Sequence, residues 1–315
     1  MAATVSVIVP MRNLEQEIAG LLRLAAGQAG EFDAEFVVVD MGSTDCSVLA
    51  ALNALKEQQL KGYVMQSGQN CKIGAVCNSA MYRISGDYFT FWVPWRLFDG
   101  YLAGCCQVAQ ETAADVVFGV FEDQWQVGIK AKKIRGEDVL ANMIKGVTTI
   151  DVGAVLIKRA YLEKCQFHFE EHDTFGVGEE FVQRALLGTD DVYQAPVVVK
   201  RNKVYQVNPP DMSKSSAACL QRVDAACRVF ETVRYQHADN QKLTELYAQE
   251  WLPAVVLDCV DTLLRSGVGY NAVRGMLKVK GCDKLLSVGK YTSLPLKKRI
   301  LVWKMMPWMY HPAAR

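Results

Sequence analysis

The sequence predicts an α/β fold, a sheet with parallel strands flanked by helices, followed by a carboxyl-terminal region of helices alone. Three observations carry the prediction. Phe36-Val37-Val38-Val39-Asp40 is an apolar, mostly β-branched run of the kind that forms a strand buried on both faces, and Met41-Gly42-Ser43-Thr44-Asp45 closes it with turn residues ahead of a helix. Apolar runs then alternate with stretches of helical periodicity, as in a βαβαβ start. After Asn208-Pro209-Pro210-Asp211 only helical spacing remains, which marks a domain boundary.

Taken in order, Val5-Ser6-Val7-Ile8-Val9-Pro10 is the first strand. Asn13 and Gln16 offer a capping box for a helix whose buried stripe is Leu14, Ile18, Leu21, Leu22 and Ala25. Asp40 stands at the carboxyl end of the second strand, where open α/β sheets bind ligands, and Gly42 allows close backbone approach. These residues leave two roles open for Asp40. It accepts hydrogen bonds from a nucleoside base or ribose, or it caps the next helix, as Asp45 equally could, with Val48, Leu49, Leu52 and Leu55 as that helix's apolar face.

Tyr63-Val64-Met65 is a third strand. Ile73, Val76, Cys77, Ala80, Met81 and Ile84 recur at helical spacing and stop at Ser85-Gly86-Asp87. Tyr88-Phe89-Thr90-Phe91-Trp92 is a strand that runs into the proline-broken loop Val93-Pro94-Trp95-Arg96, and Asp99 is expected to cap the helix that follows. Asp115 to Phe121 and Gly153 to Lys158 are strands, and the basic run Lys130 to Arg135 is a solvated loop or hairpin, or less often an anion contact. Gly178-Glu179-Glu180 opens a helix carrying Phe181, Val182, Ala185 and Leu186. Val192 to Val199 and Val204 to Val207 are late strands, with Pro196 marking the first as an edge. In the helical region, Leu220, Val223, Cys227 and Phe230 form one stripe. Leu246, Pro253, Leu257, Val260 and Leu264 form another, kinked at the proline.

Composition narrows the function classes. Half of the 315 residues are apolar, enough for a sizeable core, and 35 Lys and Arg against 34 Asp and Glu give no bulk charge for nucleic acid. With no signal sequence and no stretch of membrane-spanning length, a cytoplasmic chain is expected. Ten cysteines include no Cys-x-x-Cys pair. Cys77, Cys219, Cys227 and Cys259 sit among apolar residues and are expected as core residues, not zinc ligands. No Gly-x-Gly-x-x-Gly follows the first strand, which argues against a dinucleotide-binding oxidoreductase.

The order of these motifs resembles the family 2 glycosyltransferases, which have the GT-A fold, a Rossmann-like mixed sheet flanked by helices. Val5 to Pro10 with Asn13 looks like that family's opening strand, and Val37 to Asp45 like its nucleotide-binding strand and turn. Asn78, Gly86-Asp87-Tyr88 and the strand to Trp92 look like its next landmarks. The resemblance covers residues 4 to 207. It implies that Pro10, Asn13 and Asp40 line a site for a nucleotide-diphosphate sugar, the donor substrate, and that Glu180 is the catalytic base with Glu179 its acidic neighbour. An inverting transfer needs such a carboxylate within hydrogen-bond reach of the acceptor hydroxyl. Read without the resemblance, Glu179 and Glu180 are carboxylates favoured by the dipole of their helix.

The departures from the family pattern are as informative. Its metal-holding Asp-x-Asp falls on Val93-Pro94-Trp95, which supply no side-chain oxygen for Mg²⁺ or Mn²⁺. Arg12 stands where an aromatic residue stacks on the base, Met41 replaces a second Asp, Lys72 falls near a usual Gly, and Cys77 replaces a usual Arg. Two accounts stay open. In one, Arg96, Lys72 or Arg12 neutralises the leaving diphosphate in a metal-independent enzyme that uses a glycan or lipid-linked acceptor. In the other, the chain is a pseudoenzyme acting as a binding or scaffold module.

The expected division is 1–210 for the GT-A-like domain, 211–289 for the helical region and 290–315 for a basic, aromatic tail. Within the tail, residues 294–310 interleave Lys297, Lys298, Arg299 and Lys304 with Trp, Met, Leu and Tyr. That composition suits the inner face of an anionic membrane, bound peripherally, or equally a helix docked on the body. No nucleic-acid partner is expected, and a homo-oligomer stays open.

Overall fold

The computed structural model describes residues 4–68, 71–205, 207 and 216–312. Its elements in chain order are β1 (Val5–Met11), α1 (Ile18–Ala29), β2 (Ala34–Asp40), α2 (Ser47–Glu57), β3 (Gly62–Gln66), α3 (Ile73–Met81), β4 (Tyr88–Phe91), β5 (Phe98–Asp99), α4 (Leu102–Thr112) and β6 (Val116–Phe121). There follow β7 (Lys132–Ile134), α5 (Gly136–Ile144), β8 (Val155–Lys158), α6 (Arg159–Cys165), α7 (Val177–Leu187) and β9 (Val192–Arg201). The helical part comprises α8 (Gln221–Gln236), α9 (Gln241–Leu246), α10 (Leu252–Arg265), α11 (Tyr270–Lys280) and α12 (Leu294–Met305).

The strands form one mixed sheet in the order β3-β2-β1-β4-β8-β6-β9-β5, with β7 also on β9. Strands β1 to β4 are mutually parallel, and β8 runs antiparallel to both β4 and β6. The chain winds outward from β1 to β3 and then returns to lay β4 on the other side of β1. The carboxyl ends of β1 and β4 therefore flank a topological switch point, the place where open sheets of this kind bind ligands.

Both sheet faces are covered, which is why the strands read as unbroken apolar runs. Val5, Val7, Val9, Phe36 and Val38 pack under α1, α2 and α4, while Ile8, Val37, Val39, Phe89 and Phe91 pack under α3 and α7. The helices from α8 onward enclose a third core, joined to the sheet layer through Leu140, Ile144 and Leu187.

Several local expectations differ from the structure. Asn13 caps no helix. Its Oδ1 accepts from the Thr44 amide at 2.9 Å, so a tertiary bond to the neighbouring turn replaces the local one. Leu49 and Leu52 are exposed, because α2 buries only the narrow stripe of Ser47, Ala51, Ala54 and Leu55. Helix α3 ends at Met81, ahead of Ser85. Asp99 lies in β5 and accepts from Gln28 and Asn202 at 2.6 and 2.8 Å instead of capping α4.

Strand β9 is not an edge, since it pairs with β6 on one side and with β5 and β7 on the other. Pro196 is accommodated where the β6 register shifts between Phe118 and Val120, a bulge that spares the missing amide. Val204, Tyr205 and Val207 form no strand. The helix kink at Pro253 is a π-helical turn at Tyr247–Trp251, with the proline in the first turn of α10. The expected boundary at Asn208-Pro209-Pro210-Asp211 lies outside the described residues. Among the described residues no helix is long and apolar enough to cross a membrane.

Helix α12 docks on the body. Leu296, Ile300 and Trp303 face inward, and Arg299 donates to Asp261 at 2.8 Å while Tyr310 donates to the other Asp261 oxygen at 2.7 Å. Arg299 also lies 3.8 Å from Asp258.

Candidate active site

A cavity of 590 Å³ opens beside the carboxyl end of β4. Its apolar floor is built from Phe91, Val93 and Phe169. Phe169 stacks on Phe181 at 4.1 Å between centroids, and Asn78 pins the loop that carries it, with Oδ1 accepting from the Phe169 amide at 2.8 Å. The polar side chains in the wall are Arg96, Asp151, Thr174, Glu179, Arg222, Asp258 and Thr262. The sheet domain and two helices of the helical part thus meet here.

Arg96 leaves the turn after β4 and forms an ion pair of 2.6 Å with Asp151. Asp151 also accepts from the Gly153 amide at 2.9 Å, which fixes it at the head of a single 3₁₀ turn. Burial raises the pKa of its carboxyl, and the Arg96 guanidinium opposes that rise. Burial likewise pushes the Cys77 thiol in the same wall up to about 12, leaving it a protonated packing residue at neutral pH.

Gly176, at φ +84°, sets the start of α7. A Cβ there would stand 2.9 Å from the Arg222 Cα, so its absence lets α8 come close to the first turn of α7. Consecutive helical residues diverge in direction, and the acidic pair divides accordingly. Glu179 enters the cavity wall and accepts from Arg222 at 2.9 and 3.2 Å. Arg222 donates further to Asp258 at 3.4 Å. Burial works to lower the Arg222 pKa, and the carboxylates of Glu179 and Asp258 outweigh it and raise it.

Glu180 is 3% exposed and turns away from the cavity. It accepts two hydrogen bonds from Arg228, at 2.9 and 2.7 Å, and Arg228 also holds Asp173 at 2.8 Å. The carboxylate that the resemblance assigns as base thus lies outside the cavity lining, held by Arg228 between α7 and α8.

The remaining expected residues gather at the neighbouring carboxyl ends of β1 and β2. Met11 pairs in register with Asp40, which places Pro10, Arg12, Asn13 and Asp40 along one edge. Asp40 is buried and accepts from the amides of Gly42 and Ser43 and from the Ser43 hydroxyl, an Asx-type turn. Its side chain therefore holds its own turn, whose Ser43 accepts from the Asn13 amide at 2.9 Å. Lys72 is exposed directly ahead of α3, whose Ile73 and Cys77 line the cavity.

Asp151, Arg222 and Asp258 were not singled out from the sequence. Asp151 left a weak local signal in Asp151-Val152-Gly153, a pattern suited to an Asx turn. Arg222 and Asp258 reach the cavity only through tertiary packing, which no local pattern encodes.

The donor set at the end of β4 does not fit a divalent ion. Val93, Pro94 and Trp95 offer no side-chain oxygen, and Asp151 in the same wall is engaged by Arg96. Among the described residues no group of three or more His, Cys, Asp and Glu side chains could hold a metal ion.

Comparison with known proteins agrees with this architecture. A search of curated proteins found no match. The 1–349 fragment of S. aureus TarS, solved in complex with UDP-GlcNAc, is similar over 96% of this chain and 87% of that one, at 16% identity and a TM-score of 0.66. The mannosyltransferase PcManGT from Pyrobaculum calidifontis, solved with GDP-Man and Mn²⁺, is similar over 96% and 85%, at 15% identity and a TM-score of 0.58. Residues 6–92, which span β1 to β4 and the edge carrying Asp40, match the family model described as glycosyl transferase family 2. The chain has the GT-A fold of glycosyltransferases, and residues 6–92 of it are similar to family 2.

Proposed function

We propose that this chain transfers a sugar from a nucleotide-diphosphate donor to a glycan or lipid-linked acceptor by a single inverting displacement that uses fixed cations in place of a metal. The observation that carries the proposal is Arg96. It directly follows the position of the family's metal motif and lines the wall that also holds Glu179, and Asp151 holds its guanidinium in place. A fixed cation there stabilises the charge that develops on a departing diphosphate.

In this mechanism the acceptor oxygen forms a bond to the anomeric carbon as the bond to the diphosphate oxygen breaks. The acceptor proton passes to a carboxylate, and the nucleoside diphosphate leaves beside Arg96, with Lys72 and Arg12 as further cations. Within the acidic pair we assign the proton to Glu179, the member that lines the cavity, and we assign Glu180 to holding Arg228. The nucleoside lies along the edge formed by Pro10, Asn13 and the turn that Asp40 orders. Donors of the same class are bound in the TarS and PcManGT crystals, which supports the assignment of substrate class.

Calorimetric titration with UDP, GDP and dTDP, each with and without Mn²⁺, tests the proposal. Binding that is insensitive to the metal and at least about tenfold weaker in Arg96→Ala is the expected result. Binding that requires Mn²⁺ would overturn the role of Arg96. Binding of none of the three would overturn the transferase reading in favour of a scaffold.

A further inference from the structure

Charge is segregated along this chain to a degree its net value hides. Residues 284–315 contain seven Lys and Arg and no Asp or Glu, while residues 1–283 contain 28 Lys and Arg against 34 Asp and Glu. A strongly basic segment is thus attached to an acidic body.

The same segment is apolar on two faces. Leu296, Ile300 and Trp303 of α12 fill the helical core, as in any docked helix. The outward stripe should then be polar, yet it runs Leu294, Leu301, Met305 and on to Trp308, which are 73%, 43%, 69% and 67% exposed. Lys297, Lys298 and Lys304 are interleaved with it, and all three are exposed.

Between α11 and α12 lies a second cavity of 380 Å³. Arg274, Lys278 and Lys304 line it around a floor that includes Trp303, and Asp283 is its one carboxylate. None of the three cations makes an ion pair with another described residue. Lys304 lines the cavity and directly precedes Met305 of the stripe.

We infer that this face binds the surface of a membrane containing anionic phospholipids. The 380 Å³ cavity takes a headgroup phosphate between Arg274, Lys278 and Lys304, and Leu301, Met305 and Trp308 enter the boundary between headgroups and acyl chains. Exposed apolar side chains of α12 next to cations that make no ion pair match the two layers of such an interface, whereas a purely polar ligand would leave the apolar stripe in water. The charge complement selects anionic over neutral lipid. This inference stands on residues 271–309 and does not rest on the transferase reading.

Flotation of the full chain with phosphatidylcholine vesicles, and with phosphatidylcholine–phosphatidylglycerol vesicles, tests it. Flotation with the anionic vesicles alone, weakened by added salt, is expected. The variant R274Q/K278Q/K304Q should bind at least about tenfold more weakly, and L301S/M305S/W308S likewise, both with the circular dichroism and Tm of the parent. Flotation that ignores lipid charge, or that either variant retains in full, would overturn the assignment. Calorimetry with inorganic phosphate and sedimentation analysis separate the remaining cases. Phosphate binding without flotation would make the cavity a free-anion site. Self-association without flotation, lost in W308S, would give the face to a second copy of the chain. Both results would overturn the membrane assignment.

Discussion

Arg222 reaches from α8 to grip Glu179 of α7 with two hydrogen bonds, at 2.9 and 3.2 Å, and so joins the helical part to the sheet domain at the cavity wall. A guanidinium makes this paired contact with a carboxylate, and an ammonium does not. Arg222→Ala should lower the transfer rate at least about tenfold by releasing Glu179, with a stability loss of about 1–3 kcal/mol. Arg222→Lys should recover more of the stability than of the rate. Steady-state kinetics and urea denaturation of the three proteins check this, and a Lys variant with parental kcat would show that charge alone suffices.

Substituting the two neighbouring glutamates should give opposite outcomes. Glu180 is almost wholly buried on Arg228, so Glu180→Gln should cost roughly 1–3 kcal/mol while leaving most of the activity of the folded fraction. Glu179→Gln should fold normally and lose activity by about a hundredfold or more. Parallel melting curves and rates, taken well below Tm, read both effects. The reverse pattern would return the role of base to Glu180.

Asp151 gives a pH signature. Its carboxyl holds its proton more tightly when folded, because burial raises its pKa and Arg96 only partly opposes this. The stability it contributes is therefore fully present below the ordinary value of 3.8 and is lost as pH rises through the folded value. The Tm of the parent minus that of Asp151→Asn should fall as pH rises above the ordinary value of 3.8. A difference that stays flat or rises would refute the assignment.

Glycine positions give a paired test of the packing. A Cβ at Gly136 would stand 1.7 Å from the Leu186 carbonyl oxygen, where α5 meets the end of α7, so Gly136→Ala should destabilise by roughly 3 kcal/mol. At Gly27, inside α1, nothing lies within 4 Å, and Gly27→Ala should stabilise by about 0.5–1 kcal/mol. Denaturant midpoints with unchanged slopes report both.

The parallel half of the sheet was legible in the sequence because burial on both faces leaves a local trace. Val5 to Val9 and Phe36 to Val39 are buried whichever way they point. Legibility fails where a side chain serves a distant partner. Asn13 has the chemistry of a cap but spends it on Thr44, and Pro196 marks a bulge between two partners where an edge was expected. Within the site, Arg96 and Glu179 could be named from their positions in a motif order. The residues that orient them could not, because Asp151, Arg222 and Asp258 arrive from far along the chain, Arg222 from 43 residues beyond Glu179.

From the cavity to the chain's end runs a row of alternating charges: Glu179, Arg222, Asp258, Arg299 and Asp261, the last shared with Tyr310. Its rungs are unequal. Asp258 is about half exposed and lies 3.8 Å from Arg299, whereas Asp261 is 4% exposed and lies 2.8 Å away. Dissolved ions weaken the exposed rung first. Ionic strength can therefore loosen the wall of the cavity while α12 stays latched to the body, so the opening softens in brine before the tail lets go.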